Sequence, residues 1–184
     1  MAKDDLTERF VSREEIFAGR LLNVRRDTVR MPDGASATRE YIVHPGAVAI
    51  LPLTAAGGVI LERQYRYPHG RDFIEIPAGK VEAGEDLLAT AKRELLEETG
   101  YVATGWLRLT TIHNAISYSD EAIELFVARG LEKRAQSLDE EEFLEVLEVP
   151  FAQAVAMLRD GRITDVKTMI ALFWARQFLP GLDA

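Results

Sequence analysis

The sequence predicts an α/β (α+β) fold, a mixed sheet with helices packed on it, preceded by a small β lobe. Three observations carry this. Residues 21–65 read as successive short strands between turn signals, with scarcely any helical repeat before residue 86. Helical patterns then alternate with further strand-like runs to the end of the chain. Between these regions "HPG", His44 to Gly46, punctuates the chain ahead of the strongly apolar "AVAILPL". It divides residues 1–44, a β lobe, from residues 45–184, the main domain.

The strands follow in order: "LLNVRRDTV", a "MPDG" turn, "ATREYIV", "AVAILPL", the "TAAGG" turn, "VILERQY", and a short "FIEIP" leading into Gly79. A helix is predicted from about Asp86 to Thr99, with Leu88, Ala91 and Leu95 as its buried stripe and Gly100 as its left-handed stop. The strand runs "WLRLTTIH", "AIELFVARGL" and "FLEVLEVP" come next, with the acidic loop "EKRAQSLDEEE" between the last two. Two helices close the chain, "FAQAVAMLRDG" and "VKTMIALFWARQF", the second capped by Asp165 and stopped by Pro180 and Gly181.

At 184 residues, 47% hydrophobic and 28% charged, the chain suits one globular domain with a small extra lobe and excludes the disordered class. A net charge of −8 argues against a broad basic surface for gripping nucleic acid. Cysteine is absent, which removes disulfides, thiolate catalysis and sulfur-ligated metals. The N-terminus carries alternating charge without an apolar h-region, and no run approaches the ~18 apolar residues of a membrane span. The expectation is a cytoplasmic protein with neither membrane nor nucleic-acid partners.

One stretch conflicts with simple helix chemistry. "GKVEAGEDLLATAKRELLEETGY" crowds Glu94, Glu97 and Glu98 into the last two turns of its helix. Acids at a helix C-terminus lose a few tenths to about 1 kcal/mol each. The Glu94/Glu98 pair at i,i+4 costs about 0.2–0.5 kcal/mol more. A solvated acidic face is the plain explanation, and the spacing of the whole stretch decides against it.

Gly79, five residues, Glu85, seven residues, Arg93-Glu94-Leu95, one residue, Glu97-Glu98, one residue, Gly100-Tyr101: this resembles the Nudix box, with all seven fixed identities present and only Tyr101 unusual at a position more often aliphatic. With ordinary residue frequencies, the chance of such a match in a chain of this length is on the order of 10⁻⁷. The flanks "RQYRYP", "EIPAGKVEAGE", "SYSDEAIELFVARGL" and "GRITDVKTMIAL" resemble ADP-ribose pyrophosphatases of that superfamily.

The resemblance implies an α/β/α sandwich and Mg²⁺-dependent hydrolysis of the diphosphate of ADP-ribose or related ADP-sugars, giving AMP and a sugar phosphate, with Mn²⁺ as the other candidate ion. It also implies a homodimer, to which a lobe too small to bury its own core adds weight. Hard divalent cations take oxygen ligands, and a cation removes the mutual repulsion of the helix carboxylates. By the same resemblance Glu94 and Glu98 are the principal metal ligands, Glu98 thereby counting as catalytic, while Glu97 and the main-chain oxygen of Ala78 are further ligands. Glu85 and Arg93 form a structural ion pair. The family often places a proline in the turn that here reads "NAISYSDE". Its absence keeps other nucleoside-diphosphate-linked substrates open, GDP-mannose and NADH among them, and a non-catalytic nucleotide-sensing module is the rival from another class.

Arg39 in "ATREYIV" and Arg66 in "RQYRYP" match positions where relatives hold the nucleotide, as a guanidinium suits phosphate and base alike. Glu121, after Ser119 and Asp120, is a candidate for ribose or metal contact. In similar enzymes the general base lies in a loop before a late strand. "SLDEEEFLEV" supplies Asp139, Glu140, Glu141 and Glu142 there, with Glu142 aligning best and Glu141 next. His44, His69 and His113 share no metal-ligand spacing, and Trp106 and Trp174 read as core.

Overall fold

The computed structural model describes residues 5–138 and 142–182. These fall into two compact units: the first comprises Met1–Pro45 with His113–Ala122, the second Gly46–Ile112 with Ile123–Ala184.

The first unit is an antiparallel sheet in the order β1 (Arg9–Ala18), β2 (Asn23–Arg30), β3 (Ser36–Val43). Gly34, at φ 88°, and the Asp33 side chain, which accepts from Ala35 N at 2.9 Å, close the β2–β3 turn. Charged pairs supplement the backbone ladders of this sheet. Arg13 donates to both carboxylate oxygens of Asp27 at 2.8 and 2.7 Å, and Tyr41 Oη donates to Asp27 at 3.1 Å. Phe10, Val11, Ile16, Phe17, Leu21 and Leu22 are exposed on it. The segment 113–122 joins this unit, with Ile42 N donating to Tyr118 O and Asp120 N donating to Ile42 O. β1 is a strand that the sequence pattern did not announce.

The second unit holds two sheets and three helices. Its strands are β4 (Ala47–Pro52), β5 (Gly58–Arg66), β6 (Arg71–Glu75), β7 (Ala78–Lys80), β8 (Tyr101–Ile112), β9 (Ile123–Lys133) and β10 (Leu144–Pro150). One sheet runs β7-β4-β9-β8 and is mixed, because β4 and β9 are parallel; the other runs β10-β5-β6 and is antiparallel. β8 begins at Tyr101, earlier than its pattern suggested.

The two faces of β4 and β9 explain the layering. Val48, Ile50, Phe126 and Ala128 point to one side, where Ala91 and Leu95 of α1 (Leu87–Thr99) cover them. Ala49, Leu51, Leu125 and Val127 point to the other, packing with Leu61 of β5 and with Phe151 and Leu172 of α2 (Phe151–Arg159) and α3 (Val166–Phe178). This is the period-2 alternation of strands buried on both faces. Each large side chain so buried contributes roughly 1.5–3 kcal/mol. Asp86 caps α1, accepting from Leu88 N and Ala89 N, and Gly100 ends it at φ 68°. Asp165 caps α3 by accepting from Thr168 N at 3.0 Å. Thr168 Oγ1 accepts from Ile76 N at 2.8 Å, which ties the start of α3 to the chain just after β6.

Candidate active site

β7 is three residues long, and its register against β4, Val48 opposite Gly79 and Ala49 opposite Ala78, brings it alongside the C-terminal half of α1. There Ala78 N donates to Glu98 Oε2 at 2.9 Å. A Cβ on residue 79 would lie 1.8 Å from Glu94 Oε1, so only glycine leaves that carboxylate its place.

Arg93 organises the outer part of the site. It donates to both oxygens of Glu85, each at 3.0 Å, and to Glu94 and Glu97 at 2.9 Å. Thr90 Oγ1 donates to Glu85 at 2.8 Å. These hydrogen bonds from Arg93 and Thr90 hold the Glu85 carboxyl down at about 2, and the three acids hold the Arg93 guanidinium above its ordinary range, Glu85 most. The loop 81–86 is thereby fastened to α1.

The inner part is different. Glu98 is 5% exposed and has no ion pair among the described residues. Burial raises its pKa well above the ordinary range, helped by the charges of Glu62, Glu94 and Glu142. Burial raises Glu94 too, against the pull of Arg93. The charge of Glu142, two residues ahead of β10, thus reaches both box carboxylates. Glu141, with Asp139 and Glu140, lies outside the described residues.

Sequence reading missed Glu62. It sits on β5, 3% exposed, between cross-strand neighbours Glu75 and Val146. Burial, then the charges of Glu142 and Glu75, push its carboxyl up to about 8. Glu62 shares a strand face with Ile60, opposite Val59 and Leu61 of the core cluster, and because all three apolar neighbours are fully buried no alternation marked it in the sequence.

Arg66 donates to both oxygens of Glu75, at 2.7 and 2.9 Å, and Lys167 also pairs with Glu75. Burial alone would raise the Glu75 carboxyl, but these two cations outweigh it and hold it low. Arg39 and Glu121 belong to the first unit. Arg39 pairs with Glu8, and Glu121 lies 3.7 Å from His44 Nε2 and 3.5 Å from Asn114 Nδ2. Trp106 is partly buried, edge-on to Phe126 with Nε1 donating to Ala103 O at 3.2 Å.

The donor set fits a hard divalent cation. Glu94, Glu97, Glu98 and the Ala78 carbonyl all offer oxygens, and Glu98 is buried with no ion pair among the described residues. Among the described residues, no three acidic or histidine side chains already converge as a coordination shell. Arg93 holds Glu94 and Glu97 instead.

A NUDIX domain model matches residues 43–172, and a nucleoside diphosphate sugar hydrolase N-terminal domain model matches residues 8–42. The chain belongs to the Nudix family and is a Nudix hydrolase. It is 41% identical over 167 residues to a methanol dehydrogenase activator of Bacillus methanolicus, covering 90% of each chain. It is 38% identical over 169 residues to an ADP-ribose pyrophosphatase of Bacillus subtilis (strain 168), covering 91% of each. An ADP compounds hydrolase of known crystal structure superposes with a TM-score of 0.86 at 24% identity, covering 99% of both chains, which shows the shared fold.

Proposed function

We propose that this protein hydrolyses the diphosphate of ADP-ribose or a related ADP-sugar to AMP and a sugar phosphate, with Mg²⁺ as its ion and Mn²⁺ able to replace it. The observation that carries the reading is the set of acids on the last turns of α1, two of them seated against Ala78 and Gly79. A pure sensor has no chemical need for that set, which costs helix stability in its absence of a cation. The names of the Bacillus subtilis and Mycobacterium tuberculosis relatives, both ADP-ribose pyrophosphatases, support the substrate.

In this reading Glu94 and Glu98 hold the cation, with Glu97 and the Ala78 carbonyl as further ligands. When bound, the cation offsets the diphosphate charge and lowers the pKa of water. Glu142 accepts the proton of the attacking water, Glu141 being the alternative in the same loop. Glu85 and Arg93 keep the loop 81–86 on the helix. Arg66 is a candidate phosphate partner, and it reaches substrate only by sharing its guanidinium with Glu75. Arg39 and Glu121 are candidates for the nucleoside and ribose. We read the protein as a cytoplasmic homodimer joined through the β lobe, residues 1–44. No helix among the described residues is long and apolar enough to cross a membrane.

Incubation with ADP-ribose and Mg²⁺, with products resolved by chromatography, tests the substrate: AMP and ribose 5-phosphate are expected. Faster cleavage of GDP-mannose, NADH or a nucleoside triphosphate than of any ADP-sugar would overturn it. A monomeric mass by light scattering at micromolar concentration would remove the dimer.

A further inference from the structure

We propose that Glu75 is a positioning residue for substrate binding: backed by Lys167, it seats one edge of the Arg66 guanidinium so that the other edge faces a phosphate of the substrate. The inference rests on the reading that Arg66 is a phosphate partner.

Arg66 ends β5 and Glu75 ends β6, at opposite ends of one hairpin. The cross-strand partner of Glu75 is Glu62, four residues before Arg66, so Arg66 and Glu75 share a face of the sheet. Arg66 reaches back along that face and donates from Nε and Nη2 to the two Glu75 oxygens, at 2.7 and 2.9 Å. Its Nη1 has no hydrogen-bond partner among the described residues. A planar fork held by one edge has little rotation left, and its remaining N–H groups point one way.

The support behind this fork is buried. Glu75 is 5% exposed and Lys167 8%. Lys167 is the second residue of α3, where the helix field disfavours a cation, yet its ammonium pairs with Glu75 and lies 3.1 Å from Asp165. Asp165 also accepts from Thr168 N and Oγ1. As a device for stability alone this is poor, because apolar residues often match or better a buried ion pair. The Arg66 side chain, by contrast, is 44% exposed. It lines an open cavity of about 300 Å³ with Pro68, His69, Phe73, Glu75 and Asp165, room enough for a phosphate group. Ala78, whose N donates to Glu98 at 2.9 Å, is three residues beyond Glu75. That stretch of chain spans at most about 11 Å, so Arg66 and the box acids can meet one diphosphate-linked molecule.

The test is a double-mutant cycle on the full chain, with KM and kcat for ADP-ribose measured at saturating Mg²⁺ in wild type, Arg66→Ala, Glu75→Gln and the double variant. Arg66→Ala should raise KM by about tenfold or more, the worth of a hydrogen bond to a charged group. Glu75→Gln should raise KM by about three- to tenfold and leave kcat within about threefold, the pattern of lost uniform binding. On charge alone the sign would be opposite, since removing an acid beside an anion tightens binding. In the Arg66→Ala background Glu75→Gln should change KM by less than about twofold. A Glu75→Gln KM equal to or below that of wild type overturns the inference alone, and so does a rise that persists undiminished without Arg66. Glu145→Gln, which breaks the exposed pair with Arg63 on the same strand, should leave KM unchanged; a rise equal to that of Glu75→Gln overturns the inference by making any lost β5 ion pair sufficient. If Glu75→Gln does not fold, Glu75→Asp decides: the shorter carboxylate should raise KM, and a wild-type KM overturns the inference. A normal KM in Arg66→Ala overturns the phosphate role of Arg66 and this inference with it, while hydrolysis by wild type leaves the reaction in place.

Discussion

Gly79 and Glu94 occupy one space: a Cβ on the first would meet the carboxylate of the second at 1.8 to 2.4 Å. The φ of Gly79 is outside the left-handed region, so the requirement is for room and not for an unusual backbone. Gly79→Ala should therefore fold, because the obstructing group is the end of a flexible side chain. The displaced carboxylate should lower kcat by about a hundredfold, a cost of roughly 2.7 kcal/mol in transition-state stabilisation. Thermal unfolding and steady-state kinetics on the same preparation check the split. A variant with normal kcat would mean that Glu94 works equally well elsewhere.

The box was legible because its chemistry opposes helix chemistry. Three acids at a helix C-terminus and a glycine at a fixed distance before them require an outside explanation, and the contacts of Ala78, Gly79, Glu85 and Arg93 supply the local one. β1 was not legible: all ten of its residues are exposed, and charged pairs such as Glu14 opposite Arg26 replace the apolar alternation that marks a strand. Glu62 was hidden for the converse reason. An acid in "VILERQY" reads as the solvent face, and with Val59, Ile60 and Leu61 all fully buried no alternation along the strand says otherwise. Salt partners were equally invisible, since Arg66 and Glu75 meet through strand pairing rather than sequence spacing.

Glu94→Gln and Glu98→Gln should each reduce kcat by about a hundredfold or more at saturating Mg²⁺, because each removes a charged oxygen from the cation's surroundings. The two should differ in stability. Glu98 is buried with no ion pair among the described residues, so its neutral replacement should leave metal-free Tm equal or higher, whereas Glu94 loses its bond with Arg93. Near-normal turnover in either variant would remove that residue from the set.

Glu85→Gln tests the pairing that fastens the loop to α1. The Glu85 carboxyl is lowered from 4.5 to about 2, first by Arg93 and then by Thr90. A carboxylate lowered in the fold stabilises it fully above the unfolded value, and that contribution is lost as pH falls through the folded one. Wild type should therefore exceed Glu85→Gln in Tm at pH 7, the gap should shrink below 4.5, and it should close near pH 2. Melting curves across that interval, without metal, measure it. A gap independent of pH would show that the variant acts through packing alone.

Glu142 is the general base of the proposed mechanism. It stands at the mouth of β10, whose Leu144 is opposite Gln64 of β5, and its charge is felt at Glu62, Glu94 and Glu98 alike. In the proposed mechanism its carboxylate, in no ion pair among the described residues, accepts a proton from water. Glu142→Gln keeps the shape and removes the basicity, so kcat should fall between about one hundred- and ten thousandfold, the range general base catalysis supplies. KM should change little, since substrate binding does not need the proton acceptor. Mn²⁺ affinity should stay close to wild type, which separates this role from that of Glu94 and Glu98. If kcat survives in Glu142→Gln, the same substitution at Glu141 is the next to make, and normal rates in both would move the base into the box, to Glu97.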